Sequence, residues 1–181
     1  MKQLHLLFMI LGSSALMFSC AGKKMIIKSE GLHYIKFGED IPPVGTKRIA
    51  KRYALRDSIL EDDSTSWRAS VVQHKEGLVY LEEDFYAREL LNRIRIETPE
   101  LHLRNGLKVG DTLATLLATT EKWYIYPMKK FNLYEFSSPI LYPRIHFVID
   151  DPSLPIHSEN QEDYPLEKFD PAAVVRMIVL Y

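Results

Sequence analysis

Five histidines follow the first thirty residues, His33, His74, His102, His146 and His157. No two of them stand at the i, i+4 separation that aims a pair of imidazoles at one zinc ion, and no H-E-x-x-H run occurs. Each reads as a strand-face or loop residue, and no metal site is expected. Neither a G-x-S-x-G turn, an S-x-x-K pair, a phosphate-binding loop nor a dinucleotide fingerprint is present, so no catalytic residue and no cofactor is assigned. A triad assembled from distant positions stays open, because such triads arise without a local motif. The run from Asp150 to Asp163 gathers five acids in fourteen residues. Calcium takes such oxygen ligands, but the D-x-D-x-D-G register is missing and a solvated acidic loop is the better reading. A glycosidase-type carboxylate pair, for instance from Glu135 and Asp150, needs a spacing that only the fold sets. The densest signal is aromatic: Trp123, Tyr124, Tyr126, Phe131, Tyr134, Phe136 and Tyr142 fall within twenty residues. Rings of this kind fill strand cores by default. Period-two alternation puts Trp123 and Ile125 on one face and Tyr124 and Tyr126 on the other. Trp123, Tyr124, Tyr126 and Tyr134 are therefore the candidates for a platform that meets a sugar ring or a partner protein.

Lipid attachment has the clearest address. Lys2 precedes an apolar stretch from Leu6 to Phe18, broken by Gly12, Ser13 and Ser14 and ending at Ser19-Cys20-Ala21-Gly22. That is the layout of an export signal, shorter than the roughly 20 apolar residues a spanning helix needs. Met17-Phe18-Ser19-Cys20 resembles the box that closes bacterial lipoprotein signals, and Cys20 is the one cysteine of the chain. The expected organisation is a signal peptide over 1–19, a lipidated tether over 20–24 and a single domain over 25–181. A diacylglyceryl cysteine with an acylated amine supplies the second chain that stable anchoring requires. The expected location is the bacterial cell envelope, at the outer membrane, with the membrane as a partner through Cys20. At about 3.5 Å per residue the tether holds the domain on the order of 15 Å from the lipid.

Composition fits one globular domain: 181 residues, 46% hydrophobic and 26% charged. With 23 basic and 24 acidic residues the formal charge is -1, which excludes an electrostatic case for nucleic acid as a partner. A single cysteine excludes an intrachain disulfide framework and a Cys-rich zinc site.

The elements that must position these residues are mostly strands. Leu32 to Phe37 alternates as one strand, closed by Gly38 and the Pro42-Pro43-Val44-Gly45 turn. Ile49 to Leu60 fits either period and is read as strand. Trp67 to His74 and Leu78 to Leu81 flank Lys75-Glu76-Gly77, a hairpin loop with Gly77 in the left-handed place. Asn92 to Thr98 turns Ile94 and Ile96 to one face and Arg93, Arg95 and Glu97 to the other. Leu101 to Val109 contains Asn105-Gly106 between alternating apolar residues, a second hairpin signal. The one clear helix, about 111–119, follows Gly110, with Asp111 as its cap and Leu113, Leu116 and Leu117 on its apolar stripe. Strand-like composition returns over 123–127, 131–136, 144–150 and 174–181. Ile94, Ile96, Phe147, Ile149, Met177 and Val179 are expected on buried strand faces. The fold class is α+β, mainly antiparallel β: a meander sheet with one short helix packed on it.

Ile94-Arg95-Ile96-Glu97-Thr98-Pro99 followed by Gly106-Leu107-Lys108-Val109-Gly110-Asp111-Thr112 resembles a pattern in uncharacterised Bacteroides-type envelope lipoproteins, I-x-V-x-S-P leading to G-I-x-V-G-x-T. Phe147-Val148-Ile149-Asp150 and Val175-Arg176-Met177-Ile178 match their later F-x-I-D and I-x-x-I strands. The resemblance implies a fold type and an envelope location, with no activity attached. Function is then expected to be that of a non-enzymatic module binding an envelope protein or glycan. The alternatives are a cell-wall or glycan hydrolase with a carboxylate pair, and a structural subunit of an envelope assembly.

Overall fold

Alternating apolar and polar residues dominate the chain, and the computed structural model, which describes residues 26–41, 43, 53–61, 65–84, 86, 89–120, 122–156 and 164–181, folds them accordingly into strands. Three short strands come first: β1 (Ile26–Lys28), β2 (Gly31–Leu32) and β3 (Ile35–Lys36). Then follow β4 (Ala54–Glu61), β5 (Ser66–Gln73), β6 (Leu78–Glu83), β7 (Leu91–Glu97) and β8 (His102–Leu103). A helix α1 (Leu113–Leu117) leads to β9 (Tyr124–Met128), β10 (Leu133–Ser137), β11 (Ile145–Asp150) and β12 (Val174–Leu180). Eight strands form one sheet in the order β4-β5-β6-β7-β12-β11-β10-β9. It is two antiparallel meanders joined where β7 meets β12, in the register Ile96↔Ile178 and Ile94↔Leu180. A small second sheet, β3-β2-β1-β8, has one parallel contact, between β1 and β8. Among the described residues the architecture is thus mainly antiparallel β with one short helix. Among the described residues no helix is long and apolar enough to cross a membrane.

Several local expectations are corrected. Leu32 to Phe37 is not one strand: a turn at His33-Tyr34 folds β3 back on β2, pairing Leu32 with Ile35. Gly31 allows that fold-back, since its φ is 132° and an added Cβ would lie 2.5 Å from the Ile35 carbonyl oxygen. The part of Ile49–Leu60 that is described is strand from Ala54 onward, and 49–52 lies outside the described residues. The β5–β6 hairpin forms as expected, closed by the His74 N–H donating to the Gly77 carbonyl at 2.9 Å. Gly77 is not there for a left-handed turn, though. It is needed because β7 runs against it, so that an added Cβ would meet the Glu97 carbonyl oxygen at 2.1 Å. Asn105-Gly106 does turn the chain, with Gly106 at φ 94°, but only His102 and Lys108 pair across it before β8 joins β1.

The helix is one turn rather than three. Thr112, not Asp111, is its N-cap, and its hydroxyl accepts from the Thr115 N–H at 3.3 Å. Asp111 instead accepts from the Lys108 N–H at 2.9 Å and stiffens the preceding turn. The helix is clipped to the start of β12, since the Leu113 N–H donates to the Ala173 carbonyl and the Val175 N–H to the Asp111 carbonyl.

The large sheet has two unlike faces. On the core face, Val72, Val79, Leu81, Ile94, Ile96, Phe136, Phe147, Ile149, Ile178 and Leu180 pack with Leu113 and Leu116 of the helix and Ile27, Leu32 and Ile35 of the small sheet. The opposite face holds a thin cluster of Leu133, Val148 and Val179 flanked by Met128 and Met177, all from the large sheet itself. Ile94, Ile96, Phe147, Ile149 and Val179 are buried as expected, but Val179 lies on the opposite face, together with Met177, which is only half-buried. A bulge explains the difference: Ile149 pairs with Val175 but Val148 pairs with Met177, so Arg176 is an extra residue that flips the alternation of β12.

Candidate functional site

The face opposite the core collects polar and aromatic side chains by simple cross-strand pairing. Glu82 on β6 stands directly opposite Arg93 on β7, and Tyr80 opposite Arg95. Glu82 is only 1% exposed, a burial that a carboxylate tolerates when it is paired and hydrogen-bonded. Its Oε2 accepts from Trp67 Nε1 at 2.8 Å and from Arg93 Nε at 2.9 Å, and also from Arg93 Nη2. Its Oε1 has no hydrogen bond and faces Arg95 Nε at 3.5 Å. Arg95 Nε is equally distant from Glu97 Oε1, and the Arg95 guanidinium lies over the Tyr80 ring, 4.2 Å from its centroid. Arg93 lies over the Trp67 ring at 5.4 Å. One buried carboxylate and two rings therefore fix two arginines side by side.

Beside them lies a second constellation. Glu135 on β10 and His146 on β11 form a hydrogen-bonded pair through Glu135 Oε1 and His146 Nδ1. The Tyr181 ring meets His146 edge-on at 4.8 Å, and its hydroxyl donates to Glu135 Oε2 at 3.5 Å. Burial and the Glu135 carboxylate push the Tyr181 phenol up, against the opposing pull of Arg93. A carboxylate on Nδ1 orients the imidazole, whose Nε2 can then accept or donate a proton. Among the described residues, no group of three or more His, Cys, Asp or Glu side chains is arranged to hold a metal ion.

Both constellations border a groove of about 420 Å³, whose floor is Leu133, Met177 and Val179 and whose rim includes Trp67, Arg93 and Arg95. Leu60 of β4 and Met128 of β9, from the two outermost strands, line the same groove, so the sheet curls around it. It combines an apolar floor with a few fixed polar groups, the usual make-up of a ligand site.

The four aromatic candidates divide by face. Tyr124 and Tyr126, on the edge strand β9, are 44% and 53% exposed, and Tyr126 stands opposite Glu135. Tyr134 is corrected, since it offers no exposed ring, and Trp123 is half-buried and packed toward the core. Trp123 stacks on Tyr142 at 6.0 Å and meets Phe136 and Phe147 edge-on, with its N–H donating to the Thr120 carbonyl. Tyr134 is fully buried, its hydroxyl donating to the Leu154 carbonyl at 2.6 Å, and burial pushes its phenol up to about 12. The carboxylates Glu135 and Asp150 do not share the groove, since Asp150 does not line it and pairs with Arg176 at 3.6 Å. Asp151, from the acidic run, is a buried turn anchor that accepts from the Ser153 N–H and hydroxyl and from the Asp170 N–H. Cys20, His157 and positions 157–163 lie outside the described residues.

Trp67, Glu82, Arg93 and Arg95 were not legible as a site. The sequence places Arg93 and Arg95 on the wet face of a strand, but nothing in it pairs them with Glu82 or with a tryptophan twenty-six residues before Arg93. The one available signal was the Arg-x-Arg-x-Glu alternation itself.

No family model matches the chain, and no curated protein matches it. Among solved structures it is similar to the crystal structure of the uncharacterized protein yfeY from Escherichia coli, at 13% identity and a TM-score of 0.59, over 86% of this chain and 98% of that one. At that identity the likeness shows the fold alone.

Proposed function

We propose that this chain is an envelope lipoprotein, anchored through Cys20 at the outer membrane, whose domain binds an envelope protein or glycan on the face of the large sheet opposite the core. The observation that carries the binding reading is the arginine pair, held over Trp67 and Tyr80 by a carboxylate that is itself buried. Maintaining a buried carboxylate on this partly dry sheet face costs desolvation, and two pre-oriented guanidinium groups beside an apolar floor are what that cost secures. Tyr124 and Tyr126 extend the face with rings suited to a sugar or a protein side chain.

Binding is tested by titrating the purified domain with envelope glycan fragments and by pull-down from envelope extract. Arg95→Ala and Tyr126→Ser are each expected to weaken retention at least several-fold while the domain stays folded. Unchanged retention in both variants rejects this face as the site. The anchor is tested by fractionation: Cys20→Ser is expected to release the protein from membranes, and continued tight association rejects lipidation as its cause.

A hydrolase is the second reading, and the Glu135–His146 pair with Tyr181 is what favours it. The binding reading expects no turnover of peptidoglycan or glycan. Turnover that disappears in Glu135→Gln replaces it with the hydrolase.

A further inference from the structure

Ile140 is 87% exposed and its neighbour Leu141 46% exposed, at the turn between β10 and β11. A single exposed apolar residue is ordinary, but two in succession on a hydrogen-bonded turn are not explained by looseness. This turn is closed by hydrogen bonds: the Leu141 and Tyr142 N–H groups both donate to the Ser138 carbonyl, at 3.1 and 2.7 Å. Tyr142 is buried against Trp123 and Phe147, and Asn105 donates to its hydroxyl at 2.7 Å. The fold therefore holds Ile140 and Leu141 outward.

Their position matters more than their exposure. Leu141, Tyr142 and Pro143 line an open depression together with Ile26, Lys28 and Arg104. Ile26 is the first residue of β1, and Cys20 precedes it by six positions. Six residues span at most about 21 Å, so a lipid on Cys20 keeps this end of the domain within reach of the bilayer surface. The charges agree with a lipid surface. Lys28, which pairs with Glu30 at 3.8 Å, and Arg104 line the depression, whose single acid is that Glu30, and Lys23 and Lys24 lie in the intervening sequence.

We infer that the Ile140-Leu141 turn is a membrane-docking element: it inserts its two side chains into the interface of the bilayer that carries the anchor, with Lys28 and Arg104 at the headgroups. The inference rests on the proposed lipidation of Cys20. One acylated residue on a short tether fixes distance but not orientation, and a second, apolar contact fixes which way the domain faces. A consequence is that the domain is held in one orientation at the bilayer, which fixes the direction in which the arginine-bearing face is presented.

The test uses the full lipidated chain in vesicles of phosphatidylethanolamine and phosphatidylglycerol. Because Cys20 is the only native cysteine and its sulfur is taken up in the thioether to diacylglycerol that the proposed lipidation forms, Ile140→Cys carries the one thiol available to an environment-sensitive nitrobenzoxadiazole dye. Ile59→Cys, on the exposed side of the outermost strand β4 and away from the depression, is the control. The dye at position 140 is expected to shift to the blue on reconstitution and to be quenched by a spin label carried on lipid, while the dye at 59 does neither. Leu141→Cys repeats the measurement at an adjacent position. Water-like emission at 140 and 141, equal to that at 59, in protein that floats with the vesicles overturns the docking turn and leaves the anchor standing. Retention of Cys20→Ser on membranes removes the anchor, and the inference with it.

Discussion

Glu82 and His74 are both buried polar side chains, and they differ in that Glu82 has its countercharge at hydrogen-bond distance and His74 does not. Removing the Glu82 carboxylate leaves Trp67 Nε1 and the Arg93 guanidinium without their acceptor on a face that is already half-dry. Glu82→Ala is expected to lower the unfolding free energy by about 3 kcal/mol, the lower end for a broken buried pair because Arg93 keeps some access to water. A urea titration checks it. Asp150→Asn, which breaks the exposed pair with Arg176, is expected to change stability by no more than about 0.5 kcal/mol in the same titration. His74 stacks on Tyr53 with ring centroids 4.4 Å apart, and Glu100 Oε2 lies 3.5 Å from its Nδ1. Burial lowers its pKa from the ordinary 6.5 and outweighs the attraction of Glu100. The folded state thus prefers the neutral ring, so its contribution is complete above pH 6.5 and is lost as pH falls toward the folded-state value, because the unfolded chain takes up the proton first. His74→Phe is expected to flatten this part of the pH dependence, read as the difference in urea midpoint between the two proteins at pH 7.5 and 5.5. Equal slopes for both proteins reject the assignment. His74 was visible in the sequence as a strand-end histidine without a metal partner, but its burial under Tyr53 depends on a segment with no sequence signal linking the two.

At the scale of elements, what was legible is what neighbouring residues decide between themselves. The β5–β6 hairpin could be read because its two strands and its loop lie within eighteen residues, and β7 because Ile94 and Ile96 alternate with Arg93 and Arg95. The sequence marks Gly77 as necessary for a left-handed turn, whereas the reason that operates is the Glu97 carbonyl, which only the fold brings against it. Both reasons favour glycine, but they predict different tolerated substitutions. A left-handed glycine tolerates Asn, whereas a glycine under a neighbouring strand tolerates nothing larger. Gly77→Ala and Gly77→Asn are therefore both expected to destabilise, by about 1–3 kcal/mol for the alanine and more for the asparagine. Asparagine milder than alanine in a denaturant series restores the turn explanation. The helix is shorter than its sequence suggests, because Leu113, Leu116 and Leu117 fit a longer amphipathic stripe than the fold uses. Tertiary hydrogen bonds from Leu113 and Ala114 to Ala173 and Pro171 hold its first turn, and Trp123 is drawn into the core soon after its end. The β12 bulge was invisible, since an extra residue leaves the composition unchanged while reversing which side chains face inward.

For the whole molecule, strand order was beyond the sequence: β7 and β12 are neighbours although about eighty residues separate them, and it is this contact that turns two meanders into one sheet with a continuous second face. That face is where stability and binding come apart. Phe136 sits among Trp123, Phe169 and the rest of the main cluster, so its truncation empties space that the helix and both sheets enclose. Met177 flanks a cluster of three buried residues and borders the groove, so its truncation opens onto solvent and leaves no sealed cavity. Phe136→Ala is accordingly expected to cost about 3–5 kcal/mol, and Met177→Ala less than the 2–5 kcal/mol usual for a buried methionine. For ligand retention the order reverses if the groove is the binding site. Under conditions where both variants remain folded, Met177→Ala loses affinity because the apolar floor beneath the arginine pair is gone, and Phe136→Ala retains it because the altered packing lies on the other side of the sheet. A calorimetric titration of both variants with whichever glycan or protein the wild-type domain retains separates the two effects. Parallel losses of stability and affinity in both variants assign Met177 to the scaffold and move the binding surface elsewhere, to the exposed edge at Tyr124 and Tyr126.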